Sequence, residues 1–367
     1  MKIGLTFNVR GGQQPAHSAA AMDAAGGNPF ASAGDDEEEF DSPETIRALA
    51  DAIRGQGHEV ELLGDGEPVL RRLLDGPKPD LVFNLAEGRG VGRAREARMP
   101  AVLEMLGVPY TGSDPLTLAV ALDKDCAKKI IAAAGVPTPG WVLADGETSG
   151  LEEKLSAIAG PWIVKPACEG SSKGILECSL IHDRGQLLPT IERLRQAYQQ
   201  PILVEEFIDG DELTVGIVGN SPPQVLGIMR VVPLKPAGPF VYSLEVKRDW
   251  QARVRYESPA KISPADDAAV RQAALSAWRA LGCRDLGRID FRLRNGVPYF
   301  LEANPLPGLS PVYSDLILLA RDIGLTYEEL IGKIVNAAVE RKDEGERRKA
   351  KGERLKAVGG DSIADAG

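Results

Sequence analysis

Four polar side chains near the C-terminal end of the chain have the types and spacing of a cation site. Arg288 and Asp290 are two residues apart in one alternating segment, and Glu302 and Asn304 are two apart in the next. Residues two apart in a strand point to the same face, so each pair shares one side of a predicted hairpin. Carboxylate and amide oxygens suit Mg²⁺, which proteins usually hold together with substrate phosphates. The alternative is a solvated hairpin face that carries one salt bridge.

The turn of this hairpin decides whether the two pairs meet. Residues 287–293 and 297–303 alternate between apolar and polar, with Arg-Asn-Gly between them. A two-residue turn at Asn295 and Gly296 would place Asp290 opposite Leu301, whereas a three-residue loop brings Asp290 and Glu302 to one face. We predict the three-residue loop, with Gly296 in the left-handed region, because unpaired charges on a buried face are costly.

A second candidate is the segment KPACEGSSKGI at residues 165–175, which indicates a strand, a Gly/Ser loop and a further strand over 175–180. Backbone N–H groups of such a loop can cradle phosphate oxygens. The P-loop spacing is missing. Gly170-x-Ser172-x-Gly174 matches the nucleophile pattern of serine hydrolases, but no helix is predicted after it and only His182 lies downstream. No G-x-G-x-x-G follows the N-terminal strands, so the dinucleotide fingerprint is also absent.

Polar groups also follow the third predicted strand, where ligands of parallel sheets bind. Asn84, Glu87 and the loop 88–92 lie there, and residues 93–98 contain three arginines and one glutamate. This basic patch is compatible with a site for a carboxylate or phosphate, and equally with a solvated helix face.

Composition narrows the function classes. The chain has 367 residues, which predicts two or three domains, and 43% hydrophobic residues, which suffice for folded cores. A net charge of −10 and the lack of a basic stripe with aromatics argue against nucleic-acid binding. The four cysteines lack metal-ligand spacing, and no apolar run or leader pattern predicts a membrane or secreted protein. We expect a cytoplasmic protein with reduced thiols.

The elements that must position these groups form an α/β chain. Strand and helix patterns alternate over the first 85 residues and predict a parallel sheet, interrupted at residues 10–40 by a long mobile acidic loop. One helix is predicted over 114–134, with Lys124 near its middle. Lys247 falls in an irregular polar segment, and a closing helix over 326–341 leads into a charged, exposed and flexible tail.

In combination, these features resemble the ATP-grasp superfamily, and most closely the D-alanine–D-alanine ligase family. The resemblance covers about residues 103–333 and rests on collinear segments, among them LEMLGVPYTGSDPLTLAVALDK, WIVKPACEGSSKGI, LVEEFIDGDELTVGI, LGRIDFRL and FLEANPLPGLS. It implies an ATP-grasp fold with an N-terminal parallel-sheet domain (1–115), a central lid domain (116–210), a C-terminal catalytic domain with the metal hairpin (211–340) and a tail (341–367).

The resemblance also implies a role for individual residues. The ATP phosphates would be held by Lys124, Lys165, Gly170, Ser171 and Ser172, with Lys247 closing over the γ-phosphate. Adenine would bind at Glu205, Glu206, Phe207 and Ile208, and the ribose at Glu212. Two Mg²⁺ ions, or Mn²⁺, would be held by Asp290, Glu302 and Asn304, and Arg288 would stabilise the oxyanion.

The implied reaction joins a carboxylate to an amine through an acyl phosphate, with release of ADP. The substrates would be amino acids or small amines near Glu87, Gly308 and Tyr313, and a homodimer is the family expectation. Several substrate positions depart from the family pattern: Glu38 or Glu39 stands in for its ammonium-binding Glu, and Arg248 follows the lid lysine where the family has Tyr. The substrates therefore need not be two D-alanines. The alternative is an ATP-grasp kinase that phosphorylates a small-molecule hydroxyl.

Overall fold

The computed structural model describes residues 1–11, 28–31, 33–146, 150–235 and 238–360. Within this part of the chain the strands form one three-stranded, one four-stranded and one five-stranded sheet. None of the helices found there is both long and apolar enough to span a lipid bilayer.

The N-terminal sheet is parallel, as the alternating pattern predicted. Its elements are β1 (Lys2–Phe7), α1 (Pro43–Gly55), β2 (Glu59–Gly64), α2 (Glu67–Asp75), β3 (Leu81–Leu85) and α3 (Arg98–Leu106), with the strand order β2-β1-β3. Ser42 caps α1 by accepting a hydrogen bond from the Thr45 N–H, and Pro43 occupies the first turn. Leu5 and Phe83 are buried beneath α1. Because β1 and β3 are parallel, the polar groups that follow them lie at the same edge of the sheet.

The four-stranded sheet is antiparallel and follows two helices. The elements are α4 (Pro115–Leu122), α5 (Lys124–Ala133), β4 (Trp141–Ala144), α6 (Leu151–Ser156), β5 (Trp162–Pro166), β6 (Leu180–Ile181), α7 (Leu187–Tyr198) and β7 (Ile202–Glu206), with the order β4-β7-β5-β6. Val164 and Val204 pack with Leu194 of α7 in a separate core. That core holds β5 against β7, with Lys165 opposite Leu203.

The five-stranded sheet is also antiparallel and carries the predicted hairpin. Its elements are β8 (Asp211–Val218), β9 (Gln224–Pro233), α8 (Leu244–Arg248), α9 (Trp250–Arg253), β10 (Val254–Glu257), α10 (Pro264–Leu281), β11 (Leu286–Arg294), β12 (Val297–Asn304), α11 (Asp315–Asp322) and α12 (Tyr327–Gly360), with the order β10-β9-β8-β11-β12. Phe291 and Phe300 face the helices α5 and α10 in the core. Residues of the opposite parity, including Asp290, therefore face away from those helices.

Two predicted elements differ from the structure, and each difference changes the element on which a site residue lies. The helix expected over 114–134 is two helices, because the Asp123 side chain accepts the Cys126 N–H and caps a new helix. Lys124 is thus the first residue of α5 and not the middle of a longer helix. Lys247 lies on the short helix α8 and not in an irregular segment, with Ser243 as its N-cap.

Three other segments also differ from prediction. Residues 175–180 form no strand of that length, since a 3-10 turn at Glu177–Ser179 precedes the two-residue β6. The apolar start of residues 108–112 predicts a further short strand, but the structure has only a bridge between Val82 and Tyr110 there. The closing helix does not end near Arg341, because α12 runs without interruption to Gly360.

Candidate active site

The hairpin brings Asp290 and Glu302 together, but by a different route from the one predicted. Arg294 pairs with Val297, so the turn has two residues, Asn295 at φ 53° and Gly296 at φ 78°. Both values lie in the left-handed region of a type I′ turn. A bulge at Leu301 of β12, the extra residue between the pairs Asp290–Glu302 and Phe291–Phe300, then shifts the register. The three-residue loop was wrong; the bulge restores the parity that places the two carboxylates opposite each other.

Around Asp290 the polar side chains form one connected cluster. Its carboxylate accepts hydrogen bonds from Thr214 Oγ1 at 2.9 Å, from Arg288 Nη2 at 3.0 Å and from Asn304 Nδ2 at 3.0 Å. Arg288 Nη1 also donates to Asp315 Oδ2 at 2.6 Å. Two carboxylates thus hold the guanidinium from two sides and fix its direction.

The two acidic residues of the hairpin differ in protonation. Burial raises the pKa of Asp290 to about 6, although the charge of Arg288 opposes the rise. Burial acts on Glu302 in the same direction, but the charges of Lys124 and Lys165 lower its pKa to about 2. Glu302 therefore stays ionised, and Asp290 loses its proton only above mild acidity.

Both predicted phosphate lysines are buried on this side of the hairpin. Lys124 Nζ lies 3.3 Å from Glu302 Oε2 and also donates to the carbonyl of Glu169. Lys165 Nζ lies 2.6 Å from Glu205 Oε1 and is close enough to Glu302 to lower its pKa. The hairpin of β11 and β12 therefore faces β5, the strand that leads into the Gly/Ser loop.

Lys128 is a further buried lysine that the sequence analysis missed. It is 0% exposed, lies 3.0 Å from Glu205 Oε2 and donates to Thr138 Oγ1 at 2.7 Å. Burial lowers its pKa to about 8, against the opposing effect of Glu205. Its position four residues after Lys124 was the available signal, since residues i and i+4 share a helix face.

The exit of β7 carries the residues predicted to bind adenine and ribose. Glu206 lies 3.1 Å from Arg294, while Phe207 and Ile208 are buried. The N–H groups of Glu206 and Phe207 donate to the carbonyls of Gly140 and Pro161. The predicted ribose residue, Glu212, accepts from Arg292 Nη2 at 2.6 Å; Arg292 itself was not predicted.

In the Gly/Ser loop the backbone conformation is unusual, and an acidic segment contacts it. Ser171 and Ser172 have positive φ values of 49° and 60°, and Ser172 Oγ donates to the carbonyl of Tyr242. The N–H of Gly170 donates to Glu39 Oε1 at 2.7 Å. A Cβ at Gly170 would lie 2.7 Å from that oxygen, so only glycine permits this approach.

Part of the predicted acidic loop is packed structure. In the described residues 28–31 and 33–41, Phe30, Asp35 and Phe40 are buried. Asp35 Oδ2 accepts from the Tyr198 hydroxyl at 2.6 Å and from the N–H of Gly174 at 3.1 Å. Mobility was therefore the wrong expectation for this part, while residues 12–27 and 32 lie outside the described chain.

The arginines before α3 do not act as one patch, because Arg93 and Arg98 are exposed whereas Arg95 is buried. Arg95 is 2% exposed and donates to both oxygens of Glu39 at 2.6 and 2.7 Å. It also lies 3.2 Å from Glu169, which Lys173 approaches to 2.8 Å. This buried cluster joins the N-terminal part of the chain to the Gly/Ser loop.

The short helix α8, which carries Lys247 and Arg248, lies over the same region. Arg248 pairs with Glu38 at 2.8 Å and donates to the carbonyls of Ala33 and Gly34. Lys247 stacks on the Tyr242 ring at 5.2 Å, and burial together with Arg288 lowers its pKa. The N–H of α8 residue Leu244 donates to the carbonyl of Ile175.

One cavity is lined by most of the residues predicted to bind the phosphates, the metal and the substrates. Its lining comes from the hairpin of β11 and β12, the Gly/Ser loop, two lysines and the predicted substrate positions. The predicted site residues that line it are Arg288, Glu302, Asn304, Gly170, Ser171, Lys124, Lys247, Glu87, Gly308 and Tyr313. Asp290 and Lys165 do not line it but contact residues that do, or act on them electrostatically. The residues predicted for adenine and ribose lie outside this cavity.

Comparison with known proteins places this geometry in a family. Residues 130–336 match the family model described as D-ala D-ala ligase C-terminus. An uncharacterized protein, y4sG, of Sinorhizobium fredii is 35% identical over 298 residues, covering 79% of this chain and 86% of that protein. A D-alanine–D-alanine ligase of Xanthomonas axonopodis pv. citri is 34% identical over 296 residues, with coverages of 78% and 86%.

Solved structures share the fold over nearly the whole chain. The D-alanine–D-alanine ligase from Bacillus anthracis complexed with ATP has a TM-score of 0.67 and 20% identity, covering 94% of this chain and 99% of that one. VanG D-Ala:D-Ser ligase from Enterococcus faecalis has a TM-score of 0.69 and 20% identity, with coverages of 92% and 99%. At such identities the likeness concerns the fold alone.

Proposed function

Because the chain belongs to the D-alanine–D-alanine ligase family, we propose that it is an ATP-dependent, ADP-forming ligase that joins the carboxylate of an amino acid to an amine. The observation that carries the proposal is the shared cavity, where Arg288, Glu302 and Lys124 meet the Gly/Ser loop. A protein that only binds nucleotide has no need of an arginine held rigidly toward a reaction cavity.

The nucleotide is proposed to lie between the two antiparallel sheets. Lys124 and Lys165 supply positive charge for its phosphates, and the Gly/Ser loop from Gly170 to Ser172 covers them. Adenine contacts the exit of β7. Since the N–H groups of Glu206 and Phe207 already have acceptors, the N–H of Ile208 is the donor left in this segment for the base.

The donor chemistry of the hairpin fits Mg²⁺ or Mn²⁺. Asp290, Glu302 and Asn304 offer carboxylate and amide oxygens on one face, and hard divalent cations prefer oxygen ligands. When bound, the metal ions would neutralise negative charge on the phosphates. Glu302, with its pKa of about 2, is ready to bind a cation at any ordinary pH.

The chain's residues then act in two steps. In the first, the substrate carboxylate attacks the γ-phosphoryl group, ADP leaves, and Lys124 with Lys165 stabilises the transferred charge. In the second, the amine attacks the resulting acyl phosphate, and phosphate leaves as the amide forms. Arg288, fixed by Asp290 and Asp315, is placed to stabilise the oxyanion of that step. The lid residue Lys247 helps to exclude water, which would otherwise hydrolyse the acyl phosphate.

The test is a coupled assay of ADP and phosphate across D- and L-amino acids paired with small amines. We expect ADP and phosphate in equal amounts, together with an amide product, for at least one pair. ADP formation with a stable phosphorylated product and no free phosphate would identify a kinase instead. Nucleotide binding without turnover for every pair would refute the proposal.

A further inference from the structure

The N-terminal wall of the reaction cavity carries three carboxylates in close contact. Oxygens of Glu39, Glu87 and Glu96 all lie within 4.8 Å of one another. They come from different places in the chain: the acidic segment after β1, the loop after β3 and the turn before α3. All three line the cavity that also contains Arg288 and Glu302.

Glu39 is fully engaged by the protein itself. Both of its oxygens accept from Arg95, one accepts the Gly170 N–H, and Lys173 lies 3.4 Å away. Arg95 and Lys173 also pair with Glu169. The two local cations are therefore matched by two carboxylates, and neither has charge to spare for the rest of the wall.

Glu87 and Glu96 have no such partners. Neither makes a hydrogen bond or ion pair with any residue that the structure describes, although Glu96 is only 8% exposed. Burial raises the pKa of Glu96 to about 8, opposed by Arg95, and raises that of Glu87 well above its ordinary value, to which Glu96 contributes. A buried carboxylate without a partner, such as Glu96, is costly, and Glu87 beside it is half-buried, so a wall of this kind favours a cationic ligand.

The wall is placed to act on the acid substrate. Lys124 connects the two ends of the cavity, since it lies 3.3 Å from Glu302 and is near enough to Glu96 to lower its pKa. A molecule whose carboxylate reacts beside Arg288 can therefore direct its cationic nitrogens toward Glu87 and Glu96. Two unmatched carboxylates correspond to two cationic nitrogens, the α-ammonium and a side-chain ammonium or guanidinium.

We propose that Glu87 and Glu96 bind the cationic nitrogens of a basic amino acid, and that this amino acid is the acid substrate. The inference rests on the proposed ligase function and specifies its substrate class. Glu39 is not part of this proposed site, because Arg95 already donates to both of its oxygens.

The kinetic test compares basic acids with neutral acids of equal length. ADP release is measured with D- and L-lysine, ornithine and arginine against norleucine and norvaline, each with a panel of small amines. We expect kcat/KM to be about 100-fold higher for the preferred basic acid, because a neutral chain leaves the carboxylates unpaired. Glu96→Gln should reduce that ratio to below about tenfold. Glu104→Gln, on the helix α3 that follows Glu96 but exposed and bonded to Tyr110, should keep it.

A binding test uses a different readout. Calorimetry with the basic amino acid, ADP and Mg²⁺ at pH 7 should show release of about one to two protons, because the two cationic nitrogens lower the raised pKa values of Glu87 and Glu96. Glu96→Gln should reduce the release. The proton count comes from comparing buffers of different ionisation enthalpy.

Each outcome decides the inference. Turnover of neutral acids as fast as basic ones would overturn it and leave the ligase function intact. Binding of Mn²⁺ alone that is lost in Glu96→Gln but kept in Asp290→Asn would overturn it as well, by showing a metal site. Failure of every acid to support turnover would overturn the ligase function and this inference together.

Discussion

Replacing Asp290 with asparagine separates the proposed metal chemistry from the stability of the fold. The substitution keeps the size and shape of the side chain and removes its charge. In the structure the carboxylate receives hydrogen bonds from Thr214, Arg288 and Asn304. An asparagine amide accepts hydrogen bonds only with its oxygen. Its NH₂ group would therefore face one or two of these donors, and those hydrogen bonds would be lost.

The expected change in stability is small, because two effects oppose each other. Losing one or two hydrogen bonds to a charged group costs about 1.5–3 kcal/mol each. A rise of the pKa from 3.8 to about 6 means that ionised Asp290 destabilises the fold by about 3 kcal/mol at neutral pH, and asparagine removes that cost. The net change in unfolding free energy should stay within about 3 kcal/mol. Turnover should fall at least about 100-fold, because charge that the reaction needs is lost.

Thr214→Val is the matched control. It removes one hydrogen bond to the same carboxylate and keeps the charge, so it should cost about 1.5–3 kcal/mol and leave turnover within about tenfold. Urea unfolding gives the stability of both variants, and ADP release over a Mg²⁺ titration gives their activity. Turnover by Asp290→Asn above a tenth of the parent rate, with an unchanged Mg²⁺ requirement, would refute the metal assignment.

Three further predictions follow from the same geometry. Asp290 has a raised pKa of about 6, so below that pH the folded chain binds a proton that competes with the metal; the Mg²⁺ concentration for half-maximal rate should rise about fourfold from pH 7.5 to 5.5, and a flat profile would contradict this. The same sign means that this carboxyl makes the fold less stable as pH rises from about 4 to 6. Arg288→Ala should lower kcat about 100-fold or more while the Kd for ATP, measured by calorimetry, changes little; an unchanged kcat would exclude the oxyanion role. Arg248→Ala removes an exposed pair with Glu38, so it should cost less than about 1 kcal/mol in thermal unfolding, but raise the ratio of phosphate to amide product as water enters; an unchanged ratio would show that this contact does not hold the lid.

Several features of the fold and the site could be predicted from the sequence, because they depend on residues that are neighbours in the chain. The alternation of residues 286–294 and 297–304 defined the hairpin, and spacing by two placed Arg288 with Asp290. Ser42 and Pro43 marked a helix start through local hydrogen bonding and a fixed φ. The family resemblance was confirmed, since collinear motifs carry information about the fold that single elements lack.

Contacts between distant residues were decided only by the tertiary structure. The turn at Asn295-Gly296 has two residues, and the bulge at Leu301 of β12 that corrects its parity has no marker in the sequence. Arg95 was expected at the surface or at a ligand, but it is buried against Glu39, 56 residues away. The free energy of a buried charge depends on which groups fold around it, and periodicity does not report that. The sequence by itself therefore determined the elements and the chemistry they carry, whereas packing decided which carboxylates of the described chain are paired and which have no partner.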